Sequence, residues 1–255
     1  MIPLFDSLAH PDLEGREIGV CLQEIQKKMK LNGFRWASIV ETPHLDPGQR
    51  RFFIRSCQRF PHFVPIASID PKQTVKSWTK KISHLAKQGF KGIKIHPRSS
   101  GISWDYPSLP SILRSAQKKG LVSLLCTYSH FAIEDYPRED PFYALVRLLK
   151  KVPASRILLL HGGDVRLLQY AELVRPNPQL LLDLSFTLLK YPGSSLELDI
   201  QFLFRYFDRR ICIGTDYPEF SHADGRRRFE QFSKGLSRSK KENIGFRNLR
   251  TFFRI

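Results

Sequence analysis

Three stretches of the chain share one grammar: a lysine-rich amphipathic run, a glycine, then an apolar run that closes on a polar residue. They read KKMKLNGFRWASIVE (27–41), HLAKQGFKGIKIHP (84–97) and RSAQKKGLVSLLCT (114–127). Gly33, Gly89 and Gly120 stand where a helix end takes a left-handed residue before the next strand begins. Ile18, Cys21, Ile25 and Met29, and again Val75, Trp78, Ile82 and Leu85, recur with the 3.6-residue period of a helix lying on a sheet. Asp70-Pro71 reads as the N-cap and first residue of the second of these helices. Continued along the chain, the pattern predicts eight strands: Ile2 to Asp6, Trp36 to Glu41, Val64 to Ile69, Gly92 to His96, Val122 to Cys126, Ile157 to His161, Leu180 to Leu184 and Ile211 to Thr215. Apolar strands alternating with helices imply a parallel sheet covered on both faces, and eight such units imply a closed (β/α)8 TIM barrel. An open doubly wound sheet is the alternative, but no GxGxxG follows any strand.

The length, 255 residues, suits a single barrel domain spanning 1–255, and no low-complexity linker interrupts it. The apolar runs fall far short of the roughly 18 residues a membrane span needs. The N-terminus has neither a basic n-region nor an apolar h-region, so no signal peptide and a cytoplasmic location are expected. Cys21, Cys57, Cys126 and Cys212 are scattered, with no CxxC, which speaks against a disulfide framework or a zinc knuckle. Forty-one basic residues against 24 acids leave a net charge of +17, which favours anionic partners. Ten of the basic residues lie between Gly225 and Ile255, against Glu230 and Glu242. No recognition module and no aromatic ladder accompanies them, so direct nucleic-acid binding is the weaker use of this charge.

In a (β/α)8 barrel the active site lies at the C-terminal ends of the strands. Here those ends are polar: Asp6 with His10, Glu41, Asp70, Lys94-Ile-His96, Cys126-Thr-Tyr128, His161, Asp183-Leu-Ser185 and Asp216-Tyr217. Asp70 and Asp183 read more simply as caps of the following helices. His161 and Asp216 each close an apolar run beside glycine, which allows close approach of backbone. Lys94, His96 and Arg98 form a basic group suited to clamping a carboxylate or phosphate, with Tyr128 and Tyr217 beside it. Arg226-Arg-Arg228, after the last strand, is either a solvated helix end or a second anion contact.

Four segments in this order resemble the amidohydrolase superfamily, especially its amidohydrolase-2 branch. They are Phe5-Asp-Ser-Leu-Ala-His10-Pro, Gly89-Phe-Lys-Gly-Ile-Lys-Ile-His96-Pro, Leu160-His161-Gly-Gly and Ile213-Gly-Thr-Asp216-Tyr-Pro, and the C-terminal run with Asn248 and Phe253 looks like the family's closing helix. The resemblance implies metal ligands on strands one, five, six and eight, which here are His10, Cys126, His161 and Asp216. The chain departs from the pattern where Leu8 replaces the first histidine and Cys126 the strand-five histidine. A binuclear centre is therefore not expected, whereas one zinc or other divalent ion per chain, or none, is compatible with what remains.

The resulting expectation is a hydrolase acting on a small anionic amide, ester or lactone. Asp216 would carry the proton, His10 and His161 would hold a metal, or His161 would orient the substrate. In the metal-free form that the resemblance also allows, cationic side chains such as Lys94 and Arg98 polarise the carbonyl. The same branch includes decarboxylases and hydratases, and a non-catalytic barrel binding an anion is the reading from a different class. A homo-oligomer is compatible with all of these.

Overall fold

The computed structural model describes residues 1–13, 15–43, 45–128, 132–135 and 137–255. The strands are β1 (Leu4–Ala9), β2 (Phe34–Val40), β3 (Phe63–Ile69), β4 (Gly92–Ile95), β5 (Val122–Cys126), β6 (Ile157–Leu160), β7 (Leu180–Asp183) and β8 (Ile211–Cys212). They pair in parallel in chain order. The ring is closed by Ser7 N–H donating to the Ile213 carbonyl at 3.0 Å, Asp216 N–H to Leu8 at 3.0 Å and His10 N–H to Tyr217 at 2.7 Å. The expected single-domain (β/α)8 barrel is what forms.

Around it run α1 (Ile18–Leu31), α2 (Pro47–Gln58), α3 (Trp78–Gln88), α4 (Pro97–Ser100), α5 (Leu109–Lys118), α6 (Pro141–Lys151), α7 (Leu167–Val174), α8 (Thr187–Lys190), α9 (Leu196–Tyr206), α10 (His222–Ser233), α11 (Arg238–Glu242) and α12 (Asn248–Phe253). One apolar layer joins the outer faces of the strands to the helices. A second fills the barrel, with Phe5, Leu8, Ile66, Leu124, Leu158 and Cys212 among its members. α12 closes the floor, its Phe253 ring stacking on Phe5 at 6.0 Å, while Phe246 stacks on Trp36 at 5.6 Å. Asn248 ties it in place by donating to the carbonyls of Asp208 and Ile211 at 2.7 and 2.8 Å.

Gly33, Gly89 and Gly120 have φ of 68°, 107° and 73°, as the helix-to-strand grammar requires. Three expectations are corrected. α3 begins at Trp78, not after Asp70: Ser77 Oγ caps it by accepting from Lys80 N–H, while the Asp70 carboxylate takes Lys72 N–H in a turn of its own and Val75 precedes the helix. β1 runs on to Ala9 and β8 stops at Cys212, because the buried Asp6 carboxylate, and not a backbone carbonyl, accepts Thr215 N–H (2.8 Å) and Oγ–H (2.6 Å). Arg226 and Arg228 are buried braces: Arg226 donates to the carbonyls of Ile2, Asn32 and Gly33, and Arg228 to that of Leu188. Arg227 is exposed and pairs with Asp224.

α2 starts on a complete capping box, in which Asp46 accepts from Gly48 and Gln49 N–H while Gln49 Oε1 accepts from Asp46 N–H. Asp46→Ala is expected to cost about 1 kcal/mol, read as a lower urea midpoint at unchanged slope.

Candidate active site at the barrel mouth

β4 presents Lys94 on the inner wall of the barrel, where only 8% of the residue is exposed. Its Nζ lies 2.9 Å from His10 Nε2. An ammonium has donors only, so His10 Nε2 accepts and the ring proton sits on Nδ1. Asp216 Oδ1 is 3.7 Å from the same His10 nitrogen. On the far side, His161 Nδ1 meets the Ser185 carbonyl at 3.2 Å, which assigns its proton to Nδ1 and leaves Nε2 bare. His161 and Asp216 both have left-handed backbone, φ 65° and 55°. Such strained conformations, here after β6 and β8, are typical of functional sites.

Electrostatics follow from burial and from one cation. Burial, then the Lys94 charge, holds His10 well below the usual histidine range and pushes His161 down to about 3. His96 falls to about 4 for the same two reasons. Asp216 rises to about 6, burial outweighing the opposing pull of Lys94. Cys126 is buried and its thiol rises to about 11, so it is protonated at neutral pH.

Beneath these groups lies a hydrogen-bonded cluster that the strand-end reading missed. Asp183 is fully buried and does not cap a helix. It accepts from Ser7 Oγ, Ser185 Oγ, Ser185 N–H (3.0 Å) and His161 N–H (3.3 Å). Burial raises it to about 6 even so. The cluster fits because Gly214 has no side chain: a Cβ there would stand 2.2 Å from Ser7 Oγ. Glu41, at the end of β2, is likewise structural, held by Arg50 through two nitrogens and by Ser68 N–H.

Lys94, His10, Asp216 and His161 thus meet at the mouth. His96 spends Nδ1 on Ser99 N–H, capping α4. Tyr217 is turned away, its hydroxyl accepting from Lys28 of α1 at 2.9 Å. Arg98 stacks on Tyr128 at 5.0 Å, and Lys190 donates to the Tyr128 hydroxyl. A cavity of about 750 Å³ opens beside them, lined by Arg98, Ile102, Trp104, Cys126, Tyr128 and Arg138. Trp104 and Arg138 carry no strand-end signal, because they enter from the connections after β4 and β5.

Of the four residues expected as metal ligands, two do not fit a resident ion: the His10 lone pair is taken by the Lys94 ammonium and Cys126 is a protonated thiol, which leaves His161 and Asp216 as donors, while Leu8, at the position of the family's first histidine, is a buried barrel residue. Among the described residues no group of three or more His, Cys, Asp or Glu side chains is placed to hold a metal.

A parallel barrel with convergent histidine, carboxylate and ammonium groups at its C-terminal mouth has the architecture of enzymes of the amidohydrolase type. The sequence matches the amidohydrolase family model over residues 36–255, and the chain belongs to that family, in its amidohydrolase-2 branch. No functionally curated protein matches it. A probable 2-pyrone-4,6-dicarboxylic acid hydrolase from Acinetobacter baumannii, solved with citric acid bound, superposes with a TM-score of 0.70 at 15% identity over 100% of both chains. The 5-carboxyvanillate decarboxylase from Sphingomonas paucimobilis gives 0.70 at 14% identity, again over 100% of both. A 5-carboxyvanillate decarboxylase from Novosphingobium aromaticivorans, complexed with manganese and a nitrobenzoic acid, gives 0.64 at 17% identity over 100% of this chain and 96% of its own. At these identities the likeness establishes the fold and not the reaction. No helix among the described residues is long and apolar enough to cross a membrane.

The opposed shifts set a pH dependence of stability. The histidines lie below their unfolded value, so their contribution is complete above about pH 6.5 and is lost as pH falls toward 4 and 3. Asp183 and Asp216 lie above theirs, so the charged forms cost stability as pH rises from about 4 to about 6. Three groups with larger shifts oppose two with smaller ones, so the melting temperature is expected to fall between pH 7.5 and 5. In Lys94→Met the histidine penalty shrinks, and the fall on acidification should be visibly shallower in thermal melts.

Proposed function

We propose that the protein hydrolyses a small carboxylate-bearing ester or lactone, with Lys94 as the electrophile of the site. The observation that carries this reading is the buried Lys94 ammonium, hydrogen-bonded to His10 and beside Asp216, where the family pattern would put a metal ion. Lys94 donates to the carbonyl oxygen and stabilises the negative charge that develops there, a role worth most in a site shielded from water. Asp216, held near 6, is mostly ionised at neutral pH yet basic enough to accept the proton of the attacking water. The carbon–oxygen bond to the leaving group then breaks, and Asp216 returns the proton to the departing oxygen. Neutral His10 fixes the lysine, and Arg98 and Arg138 in the adjoining cavity offer donors for the substrate carboxylate.

The test is a screen of carboxylate-bearing lactones, esters and amides for hydrolysis, and of hydroxylated benzoates for loss of carbon dioxide, with and without a chelator. Lactone or ester hydrolysis insensitive to the chelator is the expected result. Decarboxylation alone, or activity restored only by added metal, would overturn the reading.

A further inference from the structure

The charge of +17 is not at the mouth. The connections that follow the strands (10–17, 41–46, 70–77, 96–108, 127–140, 161–166, 184–195 and 213–221) contain fourteen acids against seven Lys or Arg. The segments that lead into strands (59–62, 89–91, 119–121, 152–156, 175–179 and 207–210), together with 243–255 under the floor, contain ten Lys or Arg and one acid, Asp208. The fold makes this sorting physical. Each barrel helix ends at the face where the next strand begins, so the helix-terminal lysines of the repeated sequence grammar are all delivered to that one face. Dipole complementarity accounts for those lysines but not for the cations of the floor itself.

There, Arg35 and Arg250 lie over the Trp36 ring at 4.9 and 5.1 Å, and Arg247 over Phe246 at 5.9 Å. Stacking holds each guanidinium as a fixed plane, and although Arg247 also pairs with Glu242 and Arg250 Nε donates to the Ile255 carbonyl, each keeps further N–H groups of a kind that suits a phosphate. Arg247, Arg250 and Arg254 recur at i, i+3 and i+7, one stripe along α12 and its ends. Exposed Lys91 and Lys119 stand at the entries to β4 and β5 on the same end of the barrel. The acids in these segments and in α11 are already engaged, Asp208 by Asn243 and Glu242 by Arg238 and Arg247.

We infer that the floor of the barrel, the face opposite the mouth, is a docking surface for a nucleic-acid backbone, bound through phosphates without base readout. A row of pre-set arginine forks on an extended basic face matches a linear polyphosphate chain, and its position away from the mouth separates it from substrate capture. The linear sequence shows only part of this: Arg247, Arg250 and Arg254 lie in the basic C-terminal run, but Arg35, Lys91 and Lys119 join them on one surface only when the barrel closes.

The experiment is fluorescence anisotropy of a labelled mixed-sequence oligonucleotide with the full chain. Binding is expected in the micromolar range at about 0.1 M salt, where non-specific complexes commonly fall, and should weaken steeply with salt. Arg247→Glu/Arg254→Glu should weaken it at least tenfold and reduce the log–log salt slope by roughly 2. Lys91→Glu/Lys119→Glu, which leaves α12 untouched, should do the same if the first variant folds poorly. Lys72→Glu/Lys76→Glu at the mouth side makes the same charge change and should matter far less. Equal losses in floor and mouth variants, no binding at low salt, or tighter capture by phosphatidylserine vesicles than by the oligonucleotide would each overturn the inference.

Discussion

Lys94→Met is expected to leave a folded barrel that turns over its substrate some 10²- to 10³-fold more slowly, the usual effect of removing one donor from a developing oxyanion. Methionine keeps most of the volume and removes the charge, so packing against the barrel wall survives. Two further readouts separate a reacting cation from a structural one. Lys94 is the second cause, after burial, of the depressed His10 and His161 values, so both imidazoles should titrate at higher pH in the variant by NMR. Lys94→Arg keeps the charge but changes its geometry, and should restore the histidine titrations without restoring turnover. Retention of activity within a few-fold in Lys94→Met would remove the lysine from the mechanism. A variant that gained metal-dependent activity would instead show that the ammonium blocks a latent ion site.

The alternation of apolar strands with glycine-terminated helices was enough to read the barrel, because both signals are local: Gly89 ends α3 and β4 follows within a few residues. The misplaced start of α3 has a local cause too. Asp70-Pro71 satisfies the chemistry of a cap, yet Ser77 satisfies it as well, and only packing of Trp78 and Ile82 chooses between them. At the site, the side chains that close strands were legible as polar interruptions, but their partners were not. Asp183 belongs with Ser7, 176 residues away, and Asp6 with Thr215, 209 away, and no spacing along the chain encodes such pairs. A cap and the anchor of a buried hydrogen-bond cluster look alike in sequence. Where the net charge lies was not legible for a related reason: the excess of +17 favours anionic partners, but the connections around the mouth are acidic on balance, and the anion contacts proposed there come from a few cations, Lys94, Arg98 and Arg138.

Asp216→Asn is expected to lose at least about 100-fold in turnover while the protein gains stability at pH 8, and the opposite signs are the diagnostic feature. General acid–base work commonly contributes that much or more, and asparagine keeps the shape but cannot take the proton. The stability gain follows from the raised value of about 6: above that pH the ionised carboxylate sits in a site that disfavours it, at a cost of up to about 3 kcal/mol that the neutral amide does not incur. Asparagine tolerates the left-handed φ of 55° as well as aspartate does, so the backbone adds no cost, and the gain is offset only in part because Lys94 loses a nearby anion. In the wild type, a base with this titration makes kcat/KM rise as pH increases through about 6 and level off above it, and the residual activity of Asp216→Asn should lack that rise. Thermal melts at pH 8 and rate profiles from pH 5 to 8, run on both proteins, measure the two signs together. Equal turnover would shift the proton transfer to another group. Unchanged turnover together with a higher melting point would mark Asp216 as a burial cost without a catalytic return.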